Sequence, residues 1–202
     1  MPVLALTLTA IFLALAFGVR TAVHYWRTGT TGFVGFSGRV GSLEWFGGVL
    51  FAVALVAGAA APLLHLAGWA RAWNALDTSL AHALGATLYV VGLGGTLWAQ
   101  FAMGTAWRIG VDAGERTTMV ASGPFRWVRN PIFTSMLIGT VGLALLVPSI
   151  VSLLAVVTLV AGLELHVRCV EEPYLLRTHG ATYRRYAERT GRFLPSVGRL
   201  IG

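Results

Sequence analysis

The chain has 202 residues, of which 56% are hydrophobic and only 11% are charged, and its mean hydropathy is +0.73. This composition excludes an ordinary soluble domain and predicts an integral membrane protein. The single cysteine, Cys169, excludes an internal disulfide framework and any metal site built from several cysteines, so no metal ion is expected.

Long apolar runs predict the fold class, an all-α integral membrane bundle of about five transmembrane helices with a cytoplasmic C-terminal amphipathic helix. A helical span needs roughly 20 apolar residues. The predicted spans are 3–19, 45–66, 80–103, 132–147 and 149–166. Pro148 is expected to mark a tight turn between the last two, because one helix over both would exceed the bilayer.

All 15 basic residues are arginines, and they are distributed unevenly over the predicted loops. With five spans, 14 of them fall on one side and only Arg71 on the other. This bias predicts a multi-pass protein of the inner (plasma) membrane with its N-terminus outside and its C-terminus in the cytoplasm. A basic excess is also typical of nucleic-acid-binding proteins. Membrane topology and attraction to anionic lipids explain it more simply, so membrane lipids and not nucleic acid are the expected partners.

Polar chemistry is concentrated in two segments, 104–131 and 164–195, which the predicted hairpin places on the same side of the membrane. In the first, Asn130 before Pro131 is typical of a helix start, with the asparagine side chain as N-cap. Arg126 and Arg129 then lie beside the positive end of a helix dipole. They indicate either an anion site or arginines that only set topology.

In the second segment, helical spacing would place Glu164, Arg168, Glu171 and Glu172 on one side of a helix. This pattern fits a salt-bridged ladder on a solvated helix end and, equally, a polar site at the membrane boundary. Gln100, near the cytoplasmic end of the third span, is expected either to hydrogen-bond a neighbouring helix or to bind a polar ligand.

The sequence contains no phosphate-binding glycine loop, dinucleotide fingerprint, zinc-protease motif or nucleophile elbow. It does carry an ordered set of short motifs: Met103-Gly104 with the run from Trp107 to Asp112, Gly123-Pro124-Phe125-Arg126, Arg129-Asn130-Pro131-Ile132-Phe133, Glu171-Glu172 followed by Leu175, Gly180, Tyr183 and Tyr186, and Arg192 with Pro195. Over about residues 90–197 this set resembles the isoprenylcysteine carboxyl methyltransferase and phospholipid methyltransferase superfamily of membrane enzymes.

The resemblance implies transfer of a methyl group from S-adenosylmethionine, leaving S-adenosylhomocysteine, to a carboxylate, amine or thiol of a lipophilic small-molecule or lipid-linked substrate. Residues 1–202 would form one membrane-embedded domain, with two N-terminal spans in 1–79 and a methyltransferase-like core in 80–202. Arg168 and Glu172 resemble catalytic residues of the substrate site. The residues implied in or beside the cofactor pocket, with Gln100 added as the polar residue of the third span, are Gln100, Arg129, Asn130, Pro131, Phe133, Glu171, Tyr183 and Tyr186.

One departure from the family pattern is Asn130, where the family commonly has histidine. Asparagine does not exchange a proton near neutral pH, so only a donor or capping role is expected there. Two other functions are compatible with the sequence. One is an NADPH-dependent membrane oxidoreductase of the sterol reductase type, and the other is a non-enzymatic lipid-binding membrane protein. The composition, rich in alanine, glycine and arginine, favours a bacterial origin.

Overall fold

The computed structural model describes residues 1–35, 37–108, 110 and 118–200, and within them the regular structure is helical. The first helix, α1 (Pro2–Leu13), continues through a π-turn at Ala14–Val19 into α2 (Arg20–Thr28). The others are α3 (Leu43–Leu66), α4 (Ser79–Ala102), α5 (Pro131–Leu146), α6 (Ile150–His166) and α7 (Glu172–Arg189). A second π-turn, Val167–Glu171, joins α6 to α7.

The apolar helices confirm the predicted membrane bundle. In the described ranges, four helical stretches are long and apolar enough to cross a bilayer, Pro2–Thr28, Leu43–Leu66, Ser79–Ala102 and Ile150–Arg189, and Pro131–Leu146 is a shorter apolar helix. The predicted hairpin is also present, since α5 ends at Leu146 and α6 begins at Ile150. The chain is therefore a multi-pass helical membrane protein.

Two boundaries differ from the sequence prediction. The first helix runs on to Thr28 instead of ending near residue 19, because the polar residues after Val19 form another two turns with a strongly amphipathic pattern. The C-terminal helix is not separate from the last span, since the π-turn keeps the backbone helical from Ile150 to Arg189. Within α7, Gly180, with φ of +50°, has non-helical backbone angles.

Hydrogen bonds identify which connections share an end of the bundle. At one end, the backbone N–H of Trp73, in the α3–α4 connection, donates to the carbonyl of Pro148 in the α5–α6 turn at 2.8 Å. At the other end, Arg20 at the start of α2 donates to the carbonyls of Gln100 and Gly104, just where α4 ends. This second end carries both polar segments singled out in the sequence.

Helices α4 and α5 pack backbone against backbone at glycines. A Cβ atom built on Gly92 would overlap the backbone nitrogen of Gly139 and would lie 2.7 Å from the carbonyl oxygen of Ser135. On the same helix, a Cβ atom on Gly94 would meet nothing within 4 Å. Small residues of this kind let membrane helices approach closely, and here the approach holds α5 against α4.

We expect Gly92→Ala to lower the free energy of unfolding by about 1–3 kcal/mol, because the added methyl group meets backbone atoms that have no rotamer to change. Gly94→Ala is the matched control on the open face, and its effect should stay within about 1 kcal/mol. Chemical unfolding of the purified protein in mixed micelles measures both. Equal effects of the two variants would contradict the close α4–α5 contact.

Candidate functional site

The two polar segments close on each other at the start of α5. Val128 and Gly191 form an isolated parallel bridge. The backbone N–H of Arg129 donates to the carbonyl of Gly191 at 2.8 Å, and that of Asn130 donates to the carbonyl of Arg192 at 3.1 Å. The chain after α7 is therefore fixed against the residues that begin α5.

Glu172, the first residue of α7, accepts hydrogen bonds from two arginines at this junction. Its Oε1 accepts from Nη2 of Arg129 at 2.6 Å and from Nε of Arg192 at 2.8 Å, and its Oε2 accepts from Nη2 of Arg192 at 2.9 Å. The hydrogen bonds to Glu172 raise the pKa of Arg192 above its ordinary value, although burial opposes the shift. Because Glu172 is only 7% exposed, this carboxylate balances charges that would otherwise be buried alone.

Arg129 uses its remaining donors to hold the C-terminal segment. Its Nη1 donates to the carbonyls of Ala187 at 3.0 Å and Thr190 at 2.6 Å, and its Nη2 also donates to the carbonyl of Gly198 at 3.0 Å. Only Nε is left without a hydrogen bond. The guanidinium group is therefore a support of the site, and it is not open to a bidentate contact with a ligand carboxylate.

Asn130 occupies the position just before α5, as predicted, but the predicted capping bond is wrong. Its side chain accepts no hydrogen bond from the first turn of α5. Its Nδ2 instead donates to the carbonyl of Arg192 at 3.1 Å, the same carbonyl that receives its backbone N–H. The carbonyl of Arg192 competes with the N–H groups of α5 for the Asn130 side chain, so the side chain does not cap the helix. The predicted role of Asn130 as a hydrogen-bond donor is confirmed.

The four charged groups of 164–172 do not form one ladder. Arg168 pairs with Glu164, with side chains 58% and 37% exposed, whereas Glu172 pairs with Arg129 and Arg192. Glu171 lies against His166, with Oε1 and Nε2 3.4 Å apart. The reason is the π-turn, whose i to i+5 hydrogen bonding breaks the spacing that the prediction assumed.

A cavity of about 530 Å³ opens beside this junction. Nine of the ten predicted site residues line it, and the exception is Arg168. Its apolar lining includes Phe17, Phe51, Leu55, Met136 and Leu163, and its polar lining includes Arg129 and Asn130 just before α5, Glu171 in the π-turn, and Glu172, Tyr183 and Tyr186 in α7. The volume is in the range of cavities that hold one drug-sized ligand.

Two tyrosines of α7 stand on the polar side of the cavity. The Tyr186 hydroxyl donates to the carbonyl of Phe125 at 2.6 Å, which ties α7 to the 3₁₀ turn Gly123–Arg126. Tyr183 is only 2% exposed, and the two ring centroids are 6.2 Å apart. The tyrosine motif of α7 and the Gly123–Arg126 motif are thus brought together beside the cavity.

Gln100 makes the predicted hydrogen bond to a neighbouring helix, and its role in binding a polar ligand stays a prediction. Its Nε2 donates to the carbonyl of Ala16 in the first π-turn at 2.9 Å, so it does bond a neighbouring helix. That carbonyl accepts only, which fixes the orientation of the amide and directs Oε1 the other way. Oε1 is buried and has no hydrogen-bond partner among the described residues, although Gln100 lines the cavity.

Sequence reasoning missed several cavity residues. His166 was not singled out, because a histidine five residues before a glutamate has no partner in a regular α-helix. Phe17, Phe51 and Leu55 carry no sequence signal that separates them from other apolar residues of their spans. Ile109, Val111 and Asp112 of the motif run lie outside the described residues.

The sequence profile of the family described as phospholipid methyltransferase matches residues 80–182. This match covers half of the chain and runs from the start of α4 to the residue before Tyr183 in α7. The chain belongs to the phospholipid methyltransferase family. The resemblance inferred from the ordered motifs is confirmed, and the protein is a member of a family of membrane methyltransferases. No curated protein matches the chain closely enough to count as a relative.

Two parts of the site lie outside the region that defines family membership. Tyr183 and Tyr186 of the cavity lining follow residue 182, as does Arg192, which completes the charge balance of Glu172. The apolar wall residues Phe17, Phe51 and Leu55 precede residue 80. The family region therefore supplies most of the polar side, and the N-terminal helices supply much of the apolar side.

Proposed function

We propose that the protein transfers a methyl group from S-adenosylmethionine to a nucleophilic atom of a lipophilic acceptor, at the cytoplasmic face of the membrane. The observation that carries this proposal is the two-sided cavity. Its lining combines polar residues, most of them in the family region, with apolar residues that include Phe17, Phe51 and Leu55 of the N-terminal helices, as a site for one polar and one lipid-like ligand requires.

The residues present fit the proposed cofactor. Glu171 supplies a carboxylate whose side chain is 25% exposed, which suits the positive charge of a sulfonium. The faces of Tyr183 and Tyr186 suit the same charge and an aromatic base. The unpartnered Oε1 of Gln100 is an acceptor for a ligand N–H or O–H group.

When bound, S-adenosylmethionine supplies an activated methyl group, so the protein needs no strong acid to drive the transfer. Its contribution is to align the acceptor with the methyl group and to exclude competing water. The apolar wall, with Phe51 and Leu55, would hold the hydrocarbon part of the acceptor and orient its reactive end toward α7. The arginine bias of this end of the bundle supports its placement in the cytoplasm.

The test is calorimetric titration of the detergent-solubilised protein with S-adenosylmethionine, S-adenosylhomocysteine and NADPH. We expect saturable binding of the first two and none of NADPH. Glu171→Gln should weaken the binding of S-adenosylmethionine about tenfold, or ~1.4 kcal/mol. It should weaken the binding of S-adenosylhomocysteine less, because only S-adenosylmethionine carries the sulfonium charge. Glu164→Gln, a carboxylate outside the cavity, is the control and should bind both as wild type does.

Absence of binding to a folded, monodisperse sample would refute the cofactor assignment. Saturable binding of NADPH, without binding of S-adenosylmethionine, would indicate a membrane reductase. Equal losses for the charged and the uncharged ligand in Glu171→Gln would show that this carboxylate does not contact the sulfonium.

A further inference from the structure

His166 and Glu171 form a side-chain pair in the cavity wall that the proposed function has not used as a pair. Nε2 of His166 and Oε1 of Glu171 are 3.4 Å apart, and the side chains are 16% and 25% exposed. Both residues line the cavity. An imidazole held by a carboxylate at the edge of a ligand cavity is the arrangement that prepares a histidine to accept a proton.

The π-turn creates this pair. In a regular α-helix, two residues five apart point about 140° away from each other, since each residue turns the helix by about 100°. The Val167–Glu171 π-turn closes i to i+5 hydrogen bonds and so brings the two side chains to the same side. A π-turn in a membrane helix is less favourable than continuous α-helix, and such turns occur frequently at functional sites.

The neighbouring helices fix the position of the imidazole. The ring of Phe133 meets it edge-on, with centroids 6.1 Å apart and planes at 84°. The backbone of α3 approaches so closely that a Cβ atom on Gly47 would lie 3.0 Å from the backbone nitrogen of His166. Nε2 of His166 faces Glu171. The second nitrogen, Nδ1, has no hydrogen bond to another described residue, and it is not among the fully buried atoms that lack a partner.

We propose that His166 is a general base of the methyl transfer, oriented by Glu171, and that the acceptor is therefore a protic nucleophile, an amine or a thiol. This inference rests on the proposed function. The acceptor nitrogen or sulfur forms the new bond to the methyl carbon, and the carbon–sulfur bond of the sulfonium breaks with its electron pair left on sulfur. The proton of the acceptor passes to Nδ1 of His166 and then to water.

The chemistry of the acceptor decides whether a base is needed. A carboxylate is ionised at neutral pH and attacks without losing a proton, whereas an amine or a thiol must lose one. Among the residues that the structure describes, the other ionisable side chains lining the cavity are Arg108, Arg129, Glu172, Tyr174, Tyr183 and Tyr186. Glu172 is bonded to two arginines, and the Tyr186 hydroxyl donates to a carbonyl. Asn130 does not exchange protons.

The first test is a rate comparison with three probes that share one hydrocarbon chain: oleylamine, the corresponding thiol and oleic acid, each in detergent micelles with S-adenosylmethionine. We expect methylation of the amine or the thiol in preference to the acid. His166→Gln should lower kcat by about 10²- to 10⁴-fold and remove the acidic limb of the pH–rate profile. The affinity for S-adenosylhomocysteine should stay within about twofold of wild type, because the calorimetric titration measures cofactor binding without the chemical step.

His65→Gln is the matched control, because His65 lies in the last turn of α3 at the opposite end of the bundle and does not line the cavity. It should leave the rate and the pH profile unchanged. Preferred methylation of oleic acid, or a His166→Gln variant with wild-type rate and pH profile on the amine or thiol, would overturn the inference.

A second readout does not depend on turnover. In ¹⁵N NMR spectra of the protein with labelled histidine, the resonances lost in His166→Gln identify this residue. We expect its neutral form to carry the proton on Nε2 and to gain a second proton on Nδ1 as the pH falls, and we expect Glu171→Gln to abolish the preference for Nε2. A proton fixed on Nδ1, or a ring that does not titrate between about pH 4 and 9, would refute the role of His166 even if none of the three probes is methylated. Failure of the cofactor assignment would appear separately, as absent calorimetric binding.

Discussion

Glu172→Gln is expected to destabilise the folded protein by about 3–5 kcal/mol, because it leaves the buried Arg129 and the half-buried Arg192 beside a neutral amide. The carboxylate accepts three hydrogen bonds from these two guanidinium groups, and the amide nitrogen of glutamine would face one of them as a second donor. Chemical unfolding in mixed micelles measures the loss. Calorimetric affinity for S-adenosylhomocysteine should fall with it, since the junction forms one wall of the cavity.

Glu164→Gln is the control for this variant. It makes the same chemical change to a carboxylate whose arginine partner, Arg168, is 58% exposed, and pairs of this kind contribute only about 0–1 kcal/mol. A contradicting outcome is a Glu172→Gln variant that unfolds like wild type but has no methyl transfer activity. Glu172 would then act on the substrate, as the family resemblance implied, and its main role would not be to compensate the charges of Arg129 and Arg192.

Arg129→Met is expected to release the C-terminal segment and to cost a similar ~3–5 kcal/mol. The substitution removes donors from the carbonyls of Ala187, Thr190 and Gly198 and leaves Glu172 with Arg192 alone. In the wild-type protein, the backbone N–H groups of Arg192 and its neighbours form hydrogen bonds within the C-terminal segment. Hydrogen exchange at these amides should therefore accelerate in the variant. Mass spectrometry of peptides from this region measures the change.

Arg126→Met is the matched control, because Arg126 lies three residues earlier on the same connection and its side chain is exposed. Its unfolding free energy should change by less than about 0.5 kcal/mol, and exchange near Arg192 should stay slow. Fast exchange in both variants, or in neither, would show that Arg129 does not hold this segment.

The cavity combines residues of the family region with residues of the N-terminal helices. The junction of α5 with the C-terminal segment is built from family motifs and from Arg192, so its charge balance is a property of the core. The residues that would contact the hydrocarbon part of an acceptor, such as Phe51 and Leu55, come from the first 79 residues. We therefore expect changes at these positions to alter the choice of acceptor without altering cofactor affinity.

The sequence by itself determined the membrane bundle, the α5–α6 turn at Pro148 and the closure of two polar segments at one end. These features depend on local composition and on the length of apolar runs, which a single chain displays directly. The ordered motifs also gave the family, and nine of the ten predicted site residues line one cavity.

Only the tertiary structure decided which charges are paired. Glu172 bonds Arg129, 43 residues away, and Arg192, 20 residues away, and no helical spacing encodes such contacts. At the π-turn Val167–Glu171, Arg168 is not paired with Glu172, and His166 is paired with Glu171 instead. A π-turn is kept by the packing around it, here by the close approach of α3 at Gly47, and periodicity in the sequence therefore did not reveal it.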